Sequence, residues 1–352
     1  MLLVSFDENG QTVRDRLASA VVHSLAFVMV FALALVIAFP IVKGVKAMQY
    51  WNFYTKDLTE AGTQKSLEFG GIKHAIVGTL EQIAIALSIT IPLGLTCAVF
   101  LNEIPGRFAR LVRTVVEAMT ALPSIVAGLF IYASLIVPVF GREQGILPKS
   151  GLAAALAISV MMLPIIIRAA DVVLRLVSGS LKEASLALGA SQWRTVWHVV
   201  LPTARSGLMT AIILGAARGL GETSPVLLTA GYSTFVNANP TRGEQTSLPL
   251  LAFKLINAPS EVAKTRGYGA AAFLMLIVLV LFVAARTIGG RAPGDLTRAQ
   301  EHRRVRGSSK DAARFAARLT PRQDLPSDHS LPAQTATPAQ NVFLLPEQPS
   351  SP

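Results

Sequence analysis

The chain has 352 residues, of which 52% are hydrophobic and only 15% are charged, whereas charged residues make up about 25% of ordinary soluble domains. This composition excludes a typical soluble protein and predicts a polytopic membrane protein. The formal net charge of +11 is explained by an excess of Lys and Arg on the cytoplasmic side of a membrane. Because the sequence contains no basic stripe with interleaved aromatic residues, we predict no nucleic-acid partner. The single cysteine, Cys97, excludes an intrachain disulfide and a cysteine-based metal cluster.

Six stretches of the sequence meet the requirement of about 20 mainly apolar residues for a transmembrane helix. They predict an all-α fold with six spans, which are, in chain order, Leu17–Val42, Ala75–Leu101, Leu111–Phe140, Leu152–Leu174, Thr203–Ala230 and Tyr268–Ile288. An even number of spans places both termini on one side of the membrane. The short segment 102–113 is rich in arginine, so the positive-inside bias favours a cytoplasmic N-terminus and a cytoplasmic C-terminus.

Four prolines lie inside these predicted spans and remove backbone donors from the helices. They are Pro92, Pro123, Pro164 and Pro225. Two interpretations fit them, namely bent helices around a water-lined cavity and ordinary packing, since proline is more frequent in membrane helices than in soluble ones.

The predicted membrane domain, residues 17–290, is flanked by two segments of different composition. Residues 1–16 are predicted to be a cytoplasmic N-terminus. Residues 291–352 hold nine of the 32 Lys and Arg residues and are rich in Pro, Ser and Gln. Within this tail, residues 301–319 have the pattern of a basic amphipathic helix, which suits either contact with anionic membrane lipid or a solvated extension. The composition after Pro321 is typical of disorder.

A polar segment, residues 177–202, separates the fourth and fifth spans. Apolar residues at helical spacing predict a helix over Leu181–Leu188, and Gly189 can adopt the left-handed backbone that closes it. Ser191 is a predicted cap for a second short helix that contains two tryptophans and that Pro202 terminates. The two helices would expose a protruding apolar surface, which suits either a groove on a partner protein or the membrane interface.

This segment resembles the EAA loop of ABC importer permeases, whose pattern is Glu-Ala-Ala, three residues, Gly, nine residues, Ile, one residue and Leu-Pro. The matching residues are Glu183, Ala184, Ser185, Gly189, Val199, Leu201 and Pro202, with Ser185 in place of alanine and Val199 in place of isoleucine. The resemblance implies a six-span type I (MetI-like) permease fold with both termini in the cytoplasm. It also implies that the first loop helix is a coupling helix, which docks in a cleft of a cytosolic ATPase.

Two arginines lie inside the predicted spans, where a charge costs about 2.5–3.5 kcal/mol on insertion scales. Arg218 shares a helical face with Glu222, four residues later, and can pair with it. Arg168 is followed by Asp171, one turn later. Two arginines that face one cavity would form an anion path, and guanidinium groups bind phosphate through bidentate hydrogen bonds. Sulfate fits the same chemistry, and the alternative for each charge is a structural ion pair. Glu81 is either a third pathway group or a residue in water near the outer mouth.

Two further segments resemble the membrane subunits of the phosphate-specific transport (Pst) system, and in particular the A-type (PstA) permease. Residues 122–130, LPSIVAGLF, are similar to the family segment PSIVxGLF, and residues 217–229, ARGLGETSPVLLT, are similar to ARxxGETAPLLFT. The resemblance covers about residues 65–290. It implies that Glu222 and both intramembrane arginines belong to a phosphate pathway.

The resemblance implies a subunit that translocates inorganic phosphate across the bacterial cytoplasmic membrane. The implied partners are a homologous permease (PstC-type), an ATPase dimer (PstB-type) that holds ATP and Mg²⁺, and an extracytoplasmic phosphate-binding protein (PstS-type). The sequence has no Walker-type phosphate loop and no histidines at metal-ligand spacing. We therefore predict that this chain is not an enzyme and binds no cofactor or metal itself.

Two alternatives to phosphate import remain open from the sequence. The first is an ABC permease for another oxyanion, such as sulfate, molybdate or phosphonate, which would keep the EAA loop. The second is an ATP-independent membrane channel or scaffold, which would have no ATPase partner.

Overall fold

The computed structural model describes residues 8–59, 65–138 and 145–289, together with the isolated residue 308. Over these residues the chain forms helices and no β-strand, which confirms the predicted all-α fold. Apart from residue 308, the predicted amphipathic helix over 301–319 lies outside the described residues, as does the region after it that is predicted to be disordered. The cytoplasmic location of both termini stays a prediction, as does the division into an N-terminal segment, a membrane domain and a tail.

The described residues form twelve α-helices and two π-helical turns. Their bounds are α1 Glu8–Met48, α2 Asn52–Thr55, α3 Lys73–Glu103, α4 Arg107–Thr120, α5 Ser124–Ile131 followed by the π turn Tyr132–Ile136, α6 Gly151–Arg175, α7 Gly179–Ala187, α8 Gln192–Thr195 followed by the π turn Val196–Val200, α9 Leu201–Leu220, α10 Ser224–Thr229, α11 Leu248–Ile256 and α12 Glu261–Gly289.

Five described helical segments are long and apolar enough to cross a membrane. They are Leu17–Met48, Lys73–Glu103, Gly151–Arg175, Gln192–Leu220 and Glu261–Thr287. They correspond to the first, second, fourth, fifth and sixth predicted spans, whose existence is thereby confirmed. The largest differences are at the fifth span, which begins inside the predicted loop, and at the sixth span, which begins about two turns earlier than expected.

The third predicted span is not one continuous helix. Helices α4 and α5 meet at an angle of 106°, and the bend lies at Ala121, Leu122 and Pro123. Pro123 has no N–H to donate to α4, and its ring disfavours the helical conformation for the residue before it. The predicted third span, Leu111–Phe140, is therefore present as two helices, because Pro123 breaks the helix where the sequence led us to expect a bend or ordinary packing.

Pro202 does not terminate the second loop helix, in contrast to the prediction. Helix α8 continues through the π turn Val196–Val200 directly into α9, so that Gln192–Leu220 forms one span. A proline inside a helix lacks a donor and clashes with the carbonyl four residues earlier. In the π turn just before Pro202, the backbone hydrogen bonds join residues five apart instead of four apart. The helix continues past the proline directly after this turn.

Helix α6 is the central helix of the bundle. Its most apolar stretch is 61% buried, compared with 0% for α1. Glycines on both neighbouring helices press against it, because a Cβ atom at Gly94 of α3 or at Gly215 of α9 would lie closer than 3.0 Å to the side chain of Ile166. Small residues at helix interfaces let backbones approach closely in a membrane, and here they bring α3 and α9 against α6.

Helix α11 was not predicted from the sequence. Its residues Leu248, Leu250 and Leu251 are completely buried, and the backbone N–H of Leu248 donates to Thr79 Oγ1 of α3 at 2.7 Å. With nine residues, about 14 Å at 1.5 Å per residue, the helix is too short to cross a membrane. Its sequence therefore lacks the length that marks a transmembrane span.

Helix α1 meets the rest of the bundle at its C-terminal end. Residues 17–39 are exposed, and the ring of Phe39 packs edge-on against Tyr268 of α12 with centroids 5.4 Å apart. A Cβ atom at Gly44 would lie closer than 3.0 Å to the backbone of Gly269. The close contact between α1 and α12 therefore depends on the absence of a side chain at Gly44.

We predict that Gly44→Val destabilises the protein, since the new side chain has no room against the α12 backbone. Overpacking of this kind costs about 1–3 kcal/mol, and each kcal/mol lowers the Tm of a chain of this size by about 1–2 °C. The measurement is the Tm of the purified transporter in detergent. The control is Gly179→Val, because nothing lies within 4 Å of a Cβ atom at Gly179. Equal Tm values for both variants would contradict the proposed packing.

Candidate functional site: an intramembrane ion pair and a protruding loop

Arg218 and Glu222 form an ion pair at the break between α9 and α10. The Arg218 Nε atom lies 2.9 Å from Glu222 Oε1, as the spacing of four residues predicted. The Glu222 side chain is only 7% exposed, whereas the Arg218 side chain is 53% exposed on this chain. The buried carboxylate therefore anchors the guanidinium group at the surface of the bundle.

The two segments that resemble Pst permeases pack against each other beside this pair. A Cβ atom at Gly128, in the first segment, would lie closer than 3.0 Å to Pro225, in the second. A Cβ atom at Gly219, in the second segment, would likewise lie closer than 3.0 Å to the side chain of Met162 of α6. Glycines in both segments thus let α5, α6 and the α9–α10 break approach one another, and this close packing fixes the position of Glu222.

A small cavity lies behind Glu222, inside the bundle. Its lining includes Gln82 and Ser247, whose Oε1 and Oγ atoms are buried and have no hydrogen-bond partner among the described residues. The cavity volume is about 10 Å³, which is the lower limit for a single water molecule. An oxyanion does not fit there, so a path for an anion would have to run along the exposed side of Arg218. Sequence analysis gave no signal for Gln82 or Ser247, since isolated polar residues in an apolar run have no diagnostic spacing.

Glu81 belongs to a polar cluster beside this cavity, at the same end of α3. Its carboxylate accepts a hydrogen bond from the Gln245 side-chain amide, which also donates to the Asn237 carbonyl at 2.9 Å. Gln82 donates to the backbone carbonyl of Gln245 at 3.1 Å. Glu81 is therefore half-buried and held by its neighbours, and a role for it in a transport pathway stays a prediction.

Arg168 lies at a different depth from Arg218. On α9, Gly207 faces Val173 and Gly219 faces Met162, so residue numbers fall along α6 as they rise along α9, and the two helices are antiparallel. The level of Arg218 corresponds to Met162, six residues from Arg168, or about 9 Å at 1.5 Å per residue. Glu222, the partner of Arg218, lines one described cavity, and Arg168 lines a different one.

Arg168 lines a cavity of about 190 Å³ between α4 and α6, together with Arg113, Asp171 and Arg175. Asp171 accepts hydrogen bonds from Arg175, through Nη2 at 2.9 Å and Nε at 3.3 Å. It also accepts one from Arg113 Nη2 at 3.5 Å. Arg168 itself has no ion pair or hydrogen bond with any described residue. Asp171 is thus the counterion of two other arginines, and the nearness of Asp171 to Arg168 in the sequence does not produce a pair.

The loop between α6 and α8 has the predicted two-helix structure. Helix α7 covers the predicted first helix with shifts of one or two residues, and Gly189 has φ +83°, the left-handed conformation that the sequence predicted. Ser191 caps α8 by accepting a hydrogen bond from Arg194 N at 3.4 Å. Ser185, one of the two residues that depart from the EAA pattern, shares a hydrogen bond of 2.9 Å with Thr195 Oγ1. The serine therefore joins the two short helices.

The loop presents apolar side chains to its surroundings and is fixed to the end of α3. Leu188 is 89% exposed and Leu181 is 45% exposed, while Glu183 and Ala184 lie on the same exposed helix. Lys182 Nζ pairs with Glu103 Oε1 of α3 at 2.6 Å. The protruding helix thus combines an uncovered apolar surface with an ionic link to a membrane span.

Comparison with known proteins identifies related transport proteins. Residues 90–289 match the family model described as the binding-protein-dependent transport system inner membrane component. The phosphate transport system permease protein PstA 1 of Mycobacterium tuberculosis (strain CDC 1551 / Oshkosh) is 40% identical over 220 residues, which are 62% of this chain and 70% of the relative. PstA of Mycobacterium leprae (strain TN) is 36% identical over 73% of this chain and 82% of the relative. PstA of Pasteurella multocida (strain Pm70) is 31% identical over 70% of this chain and 84% of the relative.

Similar chains also occur among solved structures. A chain in the crystal structure of a bacterial alginate ABC transporter, in complex with an alginate pentasaccharide-bound periplasmic protein, has a TM-score of 0.57 and 12% identity. The match covers 80% of this chain and 99% of that chain. At this identity the similarity concerns the fold alone, and it confirms the predicted ABC importer permease fold.

We predict that Arg218 and Glu222 are energetically coupled. Arg218→Leu leaves a buried carboxylate unpaired and Glu222→Leu leaves the arginine unpaired, so each single variant should be less stable than the double variant. A coupling of about 1–2 kcal/mol is expected, below the value for a fully buried pair because the arginine is half exposed. The measurement is a double-mutant cycle on the Tm of the purified transporter. Additive losses would show that the two residues do not interact.

Proposed function

This chain belongs to the family of inner membrane components of binding-protein-dependent transport systems, and we propose that it is the permease subunit of an ATP-driven importer of inorganic phosphate. The identity to several PstA permeases supports the substrate. The apolar spans support a location in the cytoplasmic membrane. The observation that carries the proposal from the chain itself is the Arg218–Glu222 pair, which presents a guanidinium group at membrane depth.

The half-exposed position of Arg218 supports a role in the anion path. An arginine that faced lipid at this depth would be costly, so its exposed side is expected to face a water-filled path or a partner subunit. Guanidinium groups bind tetrahedral oxyanions through two parallel hydrogen bonds. In this proposal Arg218 and Arg168 attract and line the path of phosphate, and Glu222 holds Arg218 in place.

The protruding loop supports coupling to a separate ATPase. An exposed apolar surface such as that of Leu181 and Leu188 requires a groove on a partner. We assign this contact to helix α7, with Glu183 and Ala184, and to the left-handed turn at Gly189. A movement of the loop would reach α3 through the Lys182–Glu103 ion pair. It would also reach Arg218 through the single span Gln192–Leu220, in which Leu201 and Pro202 follow the π turn.

The complete importer in this proposal contains four kinds of component. They are this chain, a homologous PstC-type permease, a PstB-type ATPase dimer that holds ATP and Mg²⁺, and an external PstS-type protein that delivers phosphate. The family description supports the binding protein, and the loop geometry supports the ATPase. Closure of the ATPase dimer would pull α7 and open the arginine-lined path outward, as in other alternating-access transporters.

We predict that Arg218→Leu reduces uptake of labelled phosphate by about 10–100-fold, the effect expected from one lost charge-assisted contact. Uptake is measured in phosphate-starved cells that depend on this chain, with membrane abundance checked by immunoblot. Because the single variant leaves Glu222 unpaired, the double variant Arg218→Leu/Glu222→Leu is measured beside it, and it should restore abundance without restoring uptake. Arg205→Leu, an exposed arginine of the same helix, is the control and should retain uptake.

Two outcomes of this experiment would contradict the proposal. Unchanged phosphate uptake in the Arg218→Leu cells at normal abundance would exclude the arginine from the path. Uptake of labelled sulfate, molybdate or phosphonate in place of phosphate by wild-type cells would keep the transporter class and replace the substrate.

We predict that Gly189→Val uncouples transport from ATP hydrolysis, whereas Gly189→Asn retains much of the activity. Nothing lies within 4 Å of a Cβ atom at Gly189, so the cost of a side chain is backbone strain alone. Left-handed backbone costs an L-residue about 1–2 kcal/mol, a factor of about 5–30 in population, and asparagine tolerates it better than valine. The measurement is phosphate-stimulated ATPase activity of the reconstituted transporter. Equal activity of the two variants would show that the turn does not contribute to coupling.

A further inference from the structure

The arginine cluster between α4 and α6 has more guanidinium donors than acceptors. Arg113, Arg168 and Arg175 line its cavity with two carboxylates, those of Asp171 and Glu117. Asp171 is already engaged by Arg113 and Arg175, and Glu117 lies on an exposed part of α4. The five side chains leave a formal charge of +1, so an anion complements the cavity.

Two of the three arginines have unused hydrogen-bond capacity at this place. The Nε atom of Arg113 is buried and has no acceptor among the described residues. Arg168, on the neighbouring helix, has neither an ion pair nor a hydrogen bond there. A buried donor without an acceptor costs about 1–3 kcal/mol, and more when it is charged. The buried Nε atom of Arg113 therefore requires an acceptor that the described part of the chain does not supply. The guanidinium group of Arg168 is exposed and is free to bind the same acceptor.

The size of the cavity fits a small oxyanion. Its volume of about 190 Å³ is more than ten times the roughly 10–15 Å³ that one water molecule needs, whereas the cavity behind Glu222 has about 10 Å³. A neighbouring cavity of about 460 Å³ is lined by Arg110 and shares Arg113 and Arg175 with the first one. The cluster is therefore not enclosed, and it continues toward the segment between α3 and α4.

The fold brings these donors together through the bend at Pro123. Because α4 and α5 meet at 106°, α4 lies against α6, and Ala109 and Val116 of α4 are buried there in one cluster with Ile167. Asp171 then fixes Arg113 from one helix and Arg175 from the other. Asp171 is thus a positioning residue, which holds the arginines without itself facing an anion.

We propose that Arg113 and Arg168 form a second binding site for a phosphate group, about 9 Å along α6 from the level of Arg218. The inference rests on the proposed function, because it adds a second binding site to the same anion path. Two sites in series suit transport, since an ion must bind well enough to enter and weakly enough to leave. A phosphate group can come from the transported ion or from the headgroup of an anionic lipid, and the experiment separates these sources.

The test measures binding of ³³P-labelled inorganic phosphate to the complete transporter by equilibrium dialysis. The transporter is held in nanodiscs of phosphatidylcholine alone, without the external binding protein. We expect Arg113→Gln to weaken one class of sites by about 10–100-fold, as for loss of a charge-assisted contact. Arg113→Lys should retain part of the affinity, because it keeps the charge and loses the planar fork. Arg107→Gln, an exposed arginine of the same helix that lines neither of the two cavities, is the matched control and should bind as wild type.

A second arm of the experiment tests the lipid source. The transporter is purified from nanodiscs that contain phosphatidylglycerol, and retained lipid is quantified by mass spectrometry. Retention of phosphatidylglycerol by wild type and loss of it in Arg113→Gln would assign the site to a lipid headgroup. If Arg113→Gln changes neither phosphate binding nor lipid retention, although the ATPase still co-purifies, the inference is wrong.

Failure of this inference can be distinguished from failure of the proposed function. The proposed function is decided by phosphate uptake in cells and by the Arg218 variants. Normal phosphate uptake with no effect of Arg113→Gln on binding would overturn only the second site. Absence of phosphate uptake in wild-type cells would overturn the substrate, and the second site with it.

Discussion

The close approach of α3 and α9 to α6 is the constraint on which the rest of the structure depends. Gly94 and Gly215 both leave room for Ile166, so that three membrane spans pack with little space between their backbones. This packing fixes the register between α6 and α9 and thereby the depth of each arginine. Arg218 comes to the level of Met162, and Arg168 comes to lie about 9 Å away along the helix axis. A larger residue at either glycine would change the spacing of the charges as well as the core.

Local sequence predicted the parts of the fold that local physics decides. Long apolar runs gave the positions of five spans, and the left-handed turn at Gly189 followed from the preference of glycine for that backbone. The outcome at the prolines could not be predicted in this way. Pro123 breaks a helix and Pro202 does not, because a π turn precedes Pro202 and the chain around it packs as one span. Helix α11 was missed because a buried helix of nine residues has no signal that separates it from a loop beside a membrane.

In the candidate site, too, local sequence predicted some features, whereas others depend on the whole fold. The Arg218–Glu222 pair was predictable because both residues lie on one helix, four positions apart. The partners of Asp171 were only partly predictable, since Arg113 is 58 residues away in the chain and reaches Asp171 through the bend between α4 and α5. The unpaired donors of Arg113 and Arg168 depend on the whole arrangement of α4 and α6. A single sequence does not show which of several arginines lacks an acceptor.

The π turn at Val196–Val200 sets the rotational phase between the protruding loop and the membrane. A π turn is equivalent to one extra residue in an α-helix, and one residue corresponds to a rotation of about 100° at 3.6 residues per turn. The side chains of Trp193 and Arg218 therefore point in directions that a regular helix of the same length would not give. Removal of one residue from this turn would leave both ends of the span intact and turn Arg218 away from its present direction. The alignment of the loop with the membrane charges is thus set by the count of residues between them, as well as by their identity.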